Sequence, residues 1–391
     1  MRKHILNFRP SSLIKLTAVC AGILAGAVNQ VWACTRITYE GLNGNVFTGR
    51  TFDYDRAFNH ELWVLPAGIE WDGQAGGTAA DPFAKGPNDI KWTSKYGSVV
   101  ITTAGGGALD GMNAAGLSMS FNLDSYAQYG GPRSRGNDIS VFFVGHYVLG
   151  TFATVNEAID GMEKLHVVAV PVKLANGIGY DGIMSLTDAS GDTAVFEWGK
   201  GVLKIYHGKQ YNVMTNGALS PANNFGDMQK IRQYYRDINS QGKNNLTVFL
   251  PGSYSSEDRI ARAGYYLDNI PRESDPTLAR MRAFVAIRAM AAAMPFTDGP
   301  GDDPLKDVTA WTTVADLKNK RYYIDVPELL APYYIDLNEL DLKPGAPLRK
   351  LTIAVSADLT KRETVTPYSG DVANKLETSK PSPVWSLGNY K

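Results

Sequence analysis

Cys34 follows a segment with the make-up of a removable leader, and that placement makes it a candidate for nucleophile and base in one residue. With residues 1–33 cut away, it would carry a thiol and a free α-amino group. An unperturbed thiol has a pKa of about 8.5 and an α-amine one of about 7.7 to 8.0, so near neutrality the amine can take the thiol proton without strong tuning. That meets the general need of a nucleophile for an adjacent base. Such a site also requires an anion to hold the amine, a cation beside the thiolate and donors for an oxyanion. Arg50 and Asp53, in Gly49-Arg50-Thr51-Phe52-Asp53, are the candidates for cation and anion, with an ordinary surface ion pair as the competing reading.

The leader reading rests on three features. Residues 1–33 contain Arg2, Lys3, Arg9 and Lys15 and no acid, then the apolar run Leu16 to Val28, then Val31 and Ala33 at the positions a signal peptidase reads. The apolar run is about a dozen residues, short of the roughly 20 a membrane-spanning helix needs. Cleavage after Ala33 would leave 358 residues with 35 basic and 39 acidic side chains, and an exported protein in the periplasm or outside the cell. That balance offers no basis for a nucleic-acid partner, and no later stretch reads as a membrane span. Of the two cysteines, Cys20 leaves with the leader, so Cys34 cannot form an internal disulfide. A buried structural thiol and a lipid anchor are the plain alternatives, but Trp32 fits poorly in a lipidation motif.

Other chemistry is poorly supported. His4, His60, His146, His166 and His207 form no helical ligand spacing with an acid, so no metal is expected. Gly116-Leu117-Ser118-Met119-Ser120 lacks the closing glycine of a serine-hydrolase elbow. His146 lies on an apolar helix and reads as a core residue. No cofactor motif is present, since Gly105-Gly106-Gly107 lacks dinucleotide or phosphate-loop spacing.

The elements that must position Cys34 begin with a hairpin. Arg36 to Tyr39 alternates, Gly41 to Asn45 supplies a turn and Val46 to Arg50 returns, which brings Arg50 back beside Cys34. Residues 66–95 read as an extended Gly/Ala/Asp/Pro-rich loop. Strands are expected at Tyr96 to Thr103 and Leu117 to Leu123, with a tight turn at Asp110-Gly111-Met112-Asn113. Helices are expected at Asp138 to Gly150 and at Thr154 to Leu165, the second opened by a Thr154/Glu157 capping box. A meander follows at Gly182–Thr187, Thr193–Trp198, Val202–Tyr206 and Tyr211–Met214. Met228–Asp237, Ser255–Asp268 and Pro276–Met294 read as helices, the last with Leu278, Met281, Phe284, Val285 and Ile287 on one face. Strands return at Trp311–Asp316 and Arg321–Asp325, and no structure is assigned to the last 30 residues. Two strand groups separated by helices predict an α+β domain of packed antiparallel sheets with helices outside, a single domain over 34–391 whose tail after about residue 350 is open.

Four motifs in one order give the sequence a specific resemblance. Cys34-Thr35 with Gly49-Arg50-Thr51-Phe52-Asp53, Asp110-Gly111-Met112-Asn113, Met214-Thr215-Asn216, and Pro251-Gly252 followed by Arg259 resemble the choloylglycine hydrolase and penicillin V acylase family of N-terminal-nucleophile hydrolases. The resemblance implies a four-layer αββα sandwich. It implies that Cys34 is nucleophile and, through its amine, general base, that Asp53 holds the amine and that Arg50 sits against the thiolate. Asn216 would donate its amide to the oxyanion and Arg259 would tie the polar network together. The backbone amide completing the oxyanion hole falls at Asn122 or Leu123, and Asn122 is taken. Asn113 keeps its reading as a turn residue.

Hydrolysis of a linear amide with an apolar acyl group follows from the resemblance, of penicillin V acylase or N-acyl homoserine lactone acylase type, with conjugated bile salts as the alternative substrate. The family tendency is towards homotetramers. Tyr54 and Phe121, with Tyr126 and Tyr129, are candidates to line an acyl pocket. A lipid-anchored exported binding protein is the non-enzymatic alternative.

Overall fold

The computed structural model describes residues 34–54, 60–131, 136–172, 179–217, 224–241, 248–292, 308–329, 331–353 and 368–389. The expected leader and Met294 lie outside the described residues. The opening hairpin is β1 (Thr35–Glu40) and β2 (Val46–Tyr54). β3 (Glu61–Leu65), the short pair β4 (Glu70–Asp72) and β5 (Lys91–Thr93), and the meander β6 (Ser98–Thr103), β7 (Gly107–Asn113) and β8 (Ser118–Leu123) follow. β9 (Asp138–Ser140) leads into α1 (Val141–Thr151), then α2 (Val155–Met162), β10 (His166–Val168), β11 (Gly182–Thr187), β12 (Thr193–Gly199), β13 (Val202–His207) and β14 (Val213–Met214). Helices α3 (Phe225–Gln241), α4 (Ser256–Asn269) and α5 (Pro276–Arg288) precede β15 (Val308–Asp316), β16 (Arg321–Asp325), β17 (Tyr333–Asp336) and β18 (Arg349–Thr352). The tail adds β19 (Gly370–Asp371) and β20 (Glu377–Thr378).

Two large sheets result, ordered β14-β1-β2-β15-β16-β17-β19 and β13-β12-β11-β8-β7-β6-β3-β18-β20. Apart from β17 with β19, the neighbours within them run antiparallel. Strand alternation explains the layering. Ile37, Tyr39, Phe47 and Val314 of the first sheet face a helical core with Met228, Ile260, Ala283 and Ile287 from α3, α4 and α5. The opposite face of the same strands meets the second sheet, whose outer face carries α1 on β7 and β8. The order of layers is therefore αββα, as expected.

Part of the seam between the sheets is polar. Arg36 donates to Thr187 of the second sheet at 2.5 Å and to Thr38 at 2.9 Å. Asp110 of β7 accepts from Thr313 at 2.7 Å and Tyr322 at 2.5 Å across the seam, and from Ser120 at 2.5 Å. Buried polar groups with partners on both sheets fix the register of one sheet over the other.

Several local expectations change. Asp110 to Asn113 is strand, not turn: Gly111 is required because a Cβ there would collide with the Val99 carbonyl oxygen, a close approach rather than a bend. Asn113 does serve the turn that follows, accepting from the amides of Ala115 and Leu117, both at 3.0 Å. The helix expected from Asp138 starts at Val141, since Ser140 caps it and the three residues before it pair with β10. Tyr211 closes a short 3₁₀ turn instead of opening a strand. Thr154 caps α2 as read, while Glu157 reaches back to Ala153, one residue earlier than a standard capping box. The loop over 66–95 contains β4 and β5 and buries Ile69 and Trp71.

On α5 the expected apolar face divides. Phe284 and Ile287 are buried with Ala279, Ala283 and Ala286, whereas Leu278, Met281 and Val285 are about half exposed. The buried face packs closely on β2, where a Cβ at Gly49 would be 3.0 Å from Ile287. Gly49 is thus fixed by helix packing.

The tail is structured. β18 and β20 extend the nine-stranded sheet, and Trp385 is buried against Trp63, Trp71 and His146 with its indole donating to Gly106 at 3.0 Å. Trp385→Ala is expected to destabilise the fold by about 3 kcal/mol, the range for emptying a buried indole site. Urea unfolding reads this, and an unchanged midpoint would show that the tail does not belong to the cooperative unit.

Candidate active site

The β1–β2 register sets Arg36 opposite Arg50 and Thr35 opposite Thr51, so Cys34 stands just before the point where β2 carries Phe52 and Asp53. The Cys34 Sγ lies 3.9 Å from the Asp53 carbonyl oxygen and 4.0 Å from Arg50 Nη2. The thiol is buried, and burial pushes its pKa up while Arg50 pulls it back. Arg50 is held through its Nε and Nη2, while its buried Nη1 has no hydrogen-bond partner among the described residues. Its Nε donates to Asn122 Oδ1 at 3.0 Å, its Nη2 to the Phe121 carbonyl at 2.8 Å, and its guanidinium lies over the rings of Trp311 and Phe52 at 5.1 and 5.4 Å. A cation fixed this way keeps its distance to the thiol with little loss of side-chain entropy on reaction.

Asp53 is fully buried. One carboxylate oxygen takes the hydroxyl of Thr51 at 2.9 Å and the other takes that of Thr309, which β15 sets directly opposite it. Burial raises its pKa to about 6 despite these donors and the neighbouring Arg259 and Arg50. A carboxyl in that state gains from a further cation beside it, the requirement a Cys34 α-ammonium would meet.

Arg259 comes from 225 residues away in sequence to the same point. Ser255 caps α4, so the first turn of that helix aims Arg259 at the start of β1. Its guanidinium donates to the Cys34 carbonyl, to Thr35 Oγ1 at 2.9 Å, to Asn216 Oδ1 at 2.9 Å and to Ser256 Oγ at 3.1 Å, and its Nε donates to the Tyr254 carbonyl at 2.9 Å. Burial lowers its pKa to about 10, with Asp53 and Cys34 opposing, which leaves it charged at neutral pH. Asn216, with its Oδ1 held by Arg259, directs one amide hydrogen to the Leu123 carbonyl at 3.2 Å. The other hydrogen of Nδ2 has no acceptor among the described residues. The Asn122 side chain is fixed between Arg50 and the Thr215 carbonyl, 3.2 Å away.

All six residues expected to carry catalysis therefore meet at one point. Beside them is a cavity lined by Cys34, Arg50, Phe52, Asp53, Tyr54, Thr103, Leu109, Phe121, Leu123, Tyr180 and Asp181. Tyr54 and Phe121 line it as expected, while Tyr126 and Tyr129 do not. Tyr129 instead ties the chain to Gly182, donating to its carbonyl at 3.1 Å and accepting from its amide at 2.9 Å. No described residue of the 66–95 segment lines the cavity. Among the described residues no group of His, Cys, Asp and Glu could hold a metal ion.

Sequence reading missed several contributors. Thr51 sits two residues before Asp53 on one strand, a signal that was available. Thr309, Trp311, Tyr180 and Asp181 arrive by sheet pairing from distant segments and leave no local trace.

Comparison with known proteins places this geometry. A family model described as linear amide C–N hydrolases, choloylglycine hydrolase family, matches residues 34–353. The chain is 28% identical to the penicillin V acylase of Pectobacterium atrosepticum over 398 aligned positions, covering 96% of this chain and 97% of that one. It is 26% identical to a bile salt hydrolase/transferase of Lactiplantibacillus plantarum over 250 positions, covering 59% and 70%. Among solved structures, penicillin V acylase from Agrobacterium tumefaciens superposes with a TM-score of 0.73 at 33% identity, covering 89% of this chain and 98% of that one. A mutant of the conjugated bile acid hydrolase from Clostridium perfringens shares the fold, with a TM-score of 0.66 at 20% identity over 82% and 97%. A purely binding, non-enzymatic role is set aside by the family match.

Proposed function

We propose that this chain, which belongs to the choloylglycine hydrolase family of linear amide C–N hydrolases, is an exported acylase whose nucleophile is Cys34, freed by cleavage after Ala33. The observation that carries this reading is the convergence on Cys34 of a fixed cation 4.0 Å from its sulfur and a buried guanidinium on its carbonyl. In this reading the α-amine takes the thiol proton, and Asp53 then holds the α-ammonium in place. The thiolate attacks the amide carbonyl, and the oxyanion is met by Asn216 and the backbone amide at Asn122 or Leu123. The α-ammonium protonates the departing amine, and the C–N bond breaks to leave a thioester on Cys34. Water, activated by the same amine, hydrolyses the thioester and releases the acid. Until residue 33 is removed, the nitrogen of Cys34 is an amide without basicity, so cleavage is the activating step.

The acyl group is apolar, of the penicillin V or N-acyl homoserine lactone kind. Support comes from the aromatic walls Phe52, Tyr54, Phe121 and Tyr180 and from a penicillin V acylase relative matched along nearly its whole length. Conjugated bile salts are the second reading, favoured by the shared fold of the bile acid hydrolase. Intact mass of the exported protein should begin at Cys34 without a lipid increment. Rates on penicillin V, a long-chain N-acyl homoserine lactone and glycocholate, measured on one preparation, should rank glycocholate last. Fastest turnover of glycocholate would reverse the assignment.

A further inference from the structure

Asp181 is out of place in the cavity. The lining residues Phe52, Tyr54, Thr103, Leu109, Phe121 and Tyr180 are all buried, and Leu123 and Asp181 alone among the described lining residues keep partial exposure. Those two therefore mark the mouth, and the aromatic end is closed. A substrate that places its acyl group in the closed end and its carbonyl at Cys34 must direct its amine half past Leu123 and Asp181.

The Asp181 carboxylate accepts no hydrogen bond and forms no ion pair with any described residue, although burial raises its pKa to about 6. Beyond the described residues, only solvent or a ligand at the mouth can donate to it. Its placement is tight, since a Cβ on Gly179 would collide with its Oδ2. Asp124 lies behind it: the Asp124 amide donates to the Asp181 carbonyl oxygen at 3.1 Å, and the Asp124 side chain packs on Gly217, next to Asn216. The two carboxyls interact, and Glu197 adds a third acid. Arg50, the cation of the cavity, is engaged by Asn122, Phe121 and the Cys34 thiol through Nε and Nη2, with Nη1 left without a partner among the described residues. Asp181 and Asp124 thus set two acids at the mouth, against the Arg50 cation on the buried lining of the cavity.

We infer that Asp181, backed by Asp124, makes the enzyme select amides whose leaving amine brings a hydrogen-bond donor or a positive charge to the mouth and disfavour those whose amine half carries a carboxylate or sulfonate. This deepens the acylase reading and rests on it. Like-charge juxtaposition at a partly desolvated site discriminates between ligands even when it adds little affinity. Penicillin V, whose amine half is a carboxylic acid, is then a slower substrate than a neutral amide with the same acyl group.

The test holds the acyl group constant. N-(phenoxyacetyl)glycine, N-(phenoxyacetyl)glycinamide and N-(phenoxyacetyl)ethylenediamine present an anionic, a neutral and a cationic amine half. In the processed wild-type enzyme kcat/KM for the glycinamide should exceed that for the glycine conjugate by about tenfold, with the ethylenediamine amide at least equal to the glycinamide. Asp181→Asn should bring the glycinamide-to-glycine ratio to within about threefold. The ratio does not depend on the fraction of active protein, so a purely structural effect of the variant would not move it. Raising salt should narrow the wild-type ratio, which needs no variant. A wild-type preference for the glycine conjugate, or a ratio unmoved by both Asp181→Asn and salt, overturns the inference while leaving the acylase reading standing. Absence of turnover on all three amides by processed wild-type protein removes both together.

Discussion

Cys34→Ala is expected to remove amide hydrolysis, by on the order of 10⁴ or more in kcat, because both bond-making steps pass through the sulfur. The fold should survive. The thiol contributes little packing volume, its 3.9 and 4.0 Å contacts are long, and the hairpin is held by the β1–β2 ladder and by Arg259 on the residue 34 carbonyl, which alanine retains. Thermal unfolding should shift by no more than about 1 kcal/mol in stability. Cys34→Ser keeps the α-amine and the shape, but a hydroxyl is a far weaker acid than a thiol, so in a site arranged around a thiolate the α-amine activates it much less. Its rate should fall by at least about 10²-fold. The measurement is burst and steady-state hydrolysis of penicillin V, with unfolding followed by circular dichroism. Full activity in either variant would move the nucleophile elsewhere in the cavity.

Arg259→Ala is expected to damage stability and catalysis together. Its guanidinium satisfies the Cys34 and Tyr254 carbonyls, two hydroxyls and the Asn216 side chain, with no solvent access for a water to replace it. Removing one partner from such a buried charged network leaves polar groups unpaired and typically costs about 3 to 5 kcal/mol. Asp53 also loses one of its two neighbouring cations. Arg259→Lys separates the two effects. Lysine restores one charge but not the planar fork that reaches Cys34 and Asn216 at once. It should recover part of the stability while kcat stays down by about 10²-fold, the scale of a misplaced oxyanion donor. Guanidinium unfolding and single-turnover acylation read the two quantities. A lysine variant with wild-type kcat would reduce Arg259 to a structural role.

Much of this site was legible from the chain alone, and the reason is local. Cys34, Arg50 and Asp53 lie within 20 residues on one hairpin, whose alternation and turn are written in sequence, so the approach of Arg50 to Cys34 follows from strand pairing. Asn216 and Arg259 were reachable only through motif resemblance, since their meeting with Cys34 depends on β14 pairing with β1 and on the direction of α4. The errors were also local. Asp110-Gly111 carries the composition of a turn, but its glycine answers a contact with Val99 from another strand. The face of α5 was assigned by residue size, whereas the fold buries Ala279, Ala283, Ala286 and Ile287 against the first sheet, with Ile287 packed on Gly49.

The sequence by itself determined a chain whose one cysteine beyond residue 33 stands just after an expected cut, with a cation and an acid brought to it by a single hairpin. These are consequences of covalent order and of two-residue strand periodicity, which short-range physics settles. The tertiary structure alone decided what surrounds that cysteine. Thr309 opposite Asp53, the Trp311 ring beneath Arg50 and the packing of the tail through Trp385 all depend on which strands become neighbours. So does Asp181 at the mouth of the cavity. Such pairings are fixed by the global burial of two large sheets against each other and against their helices, and no window of sequence contains them.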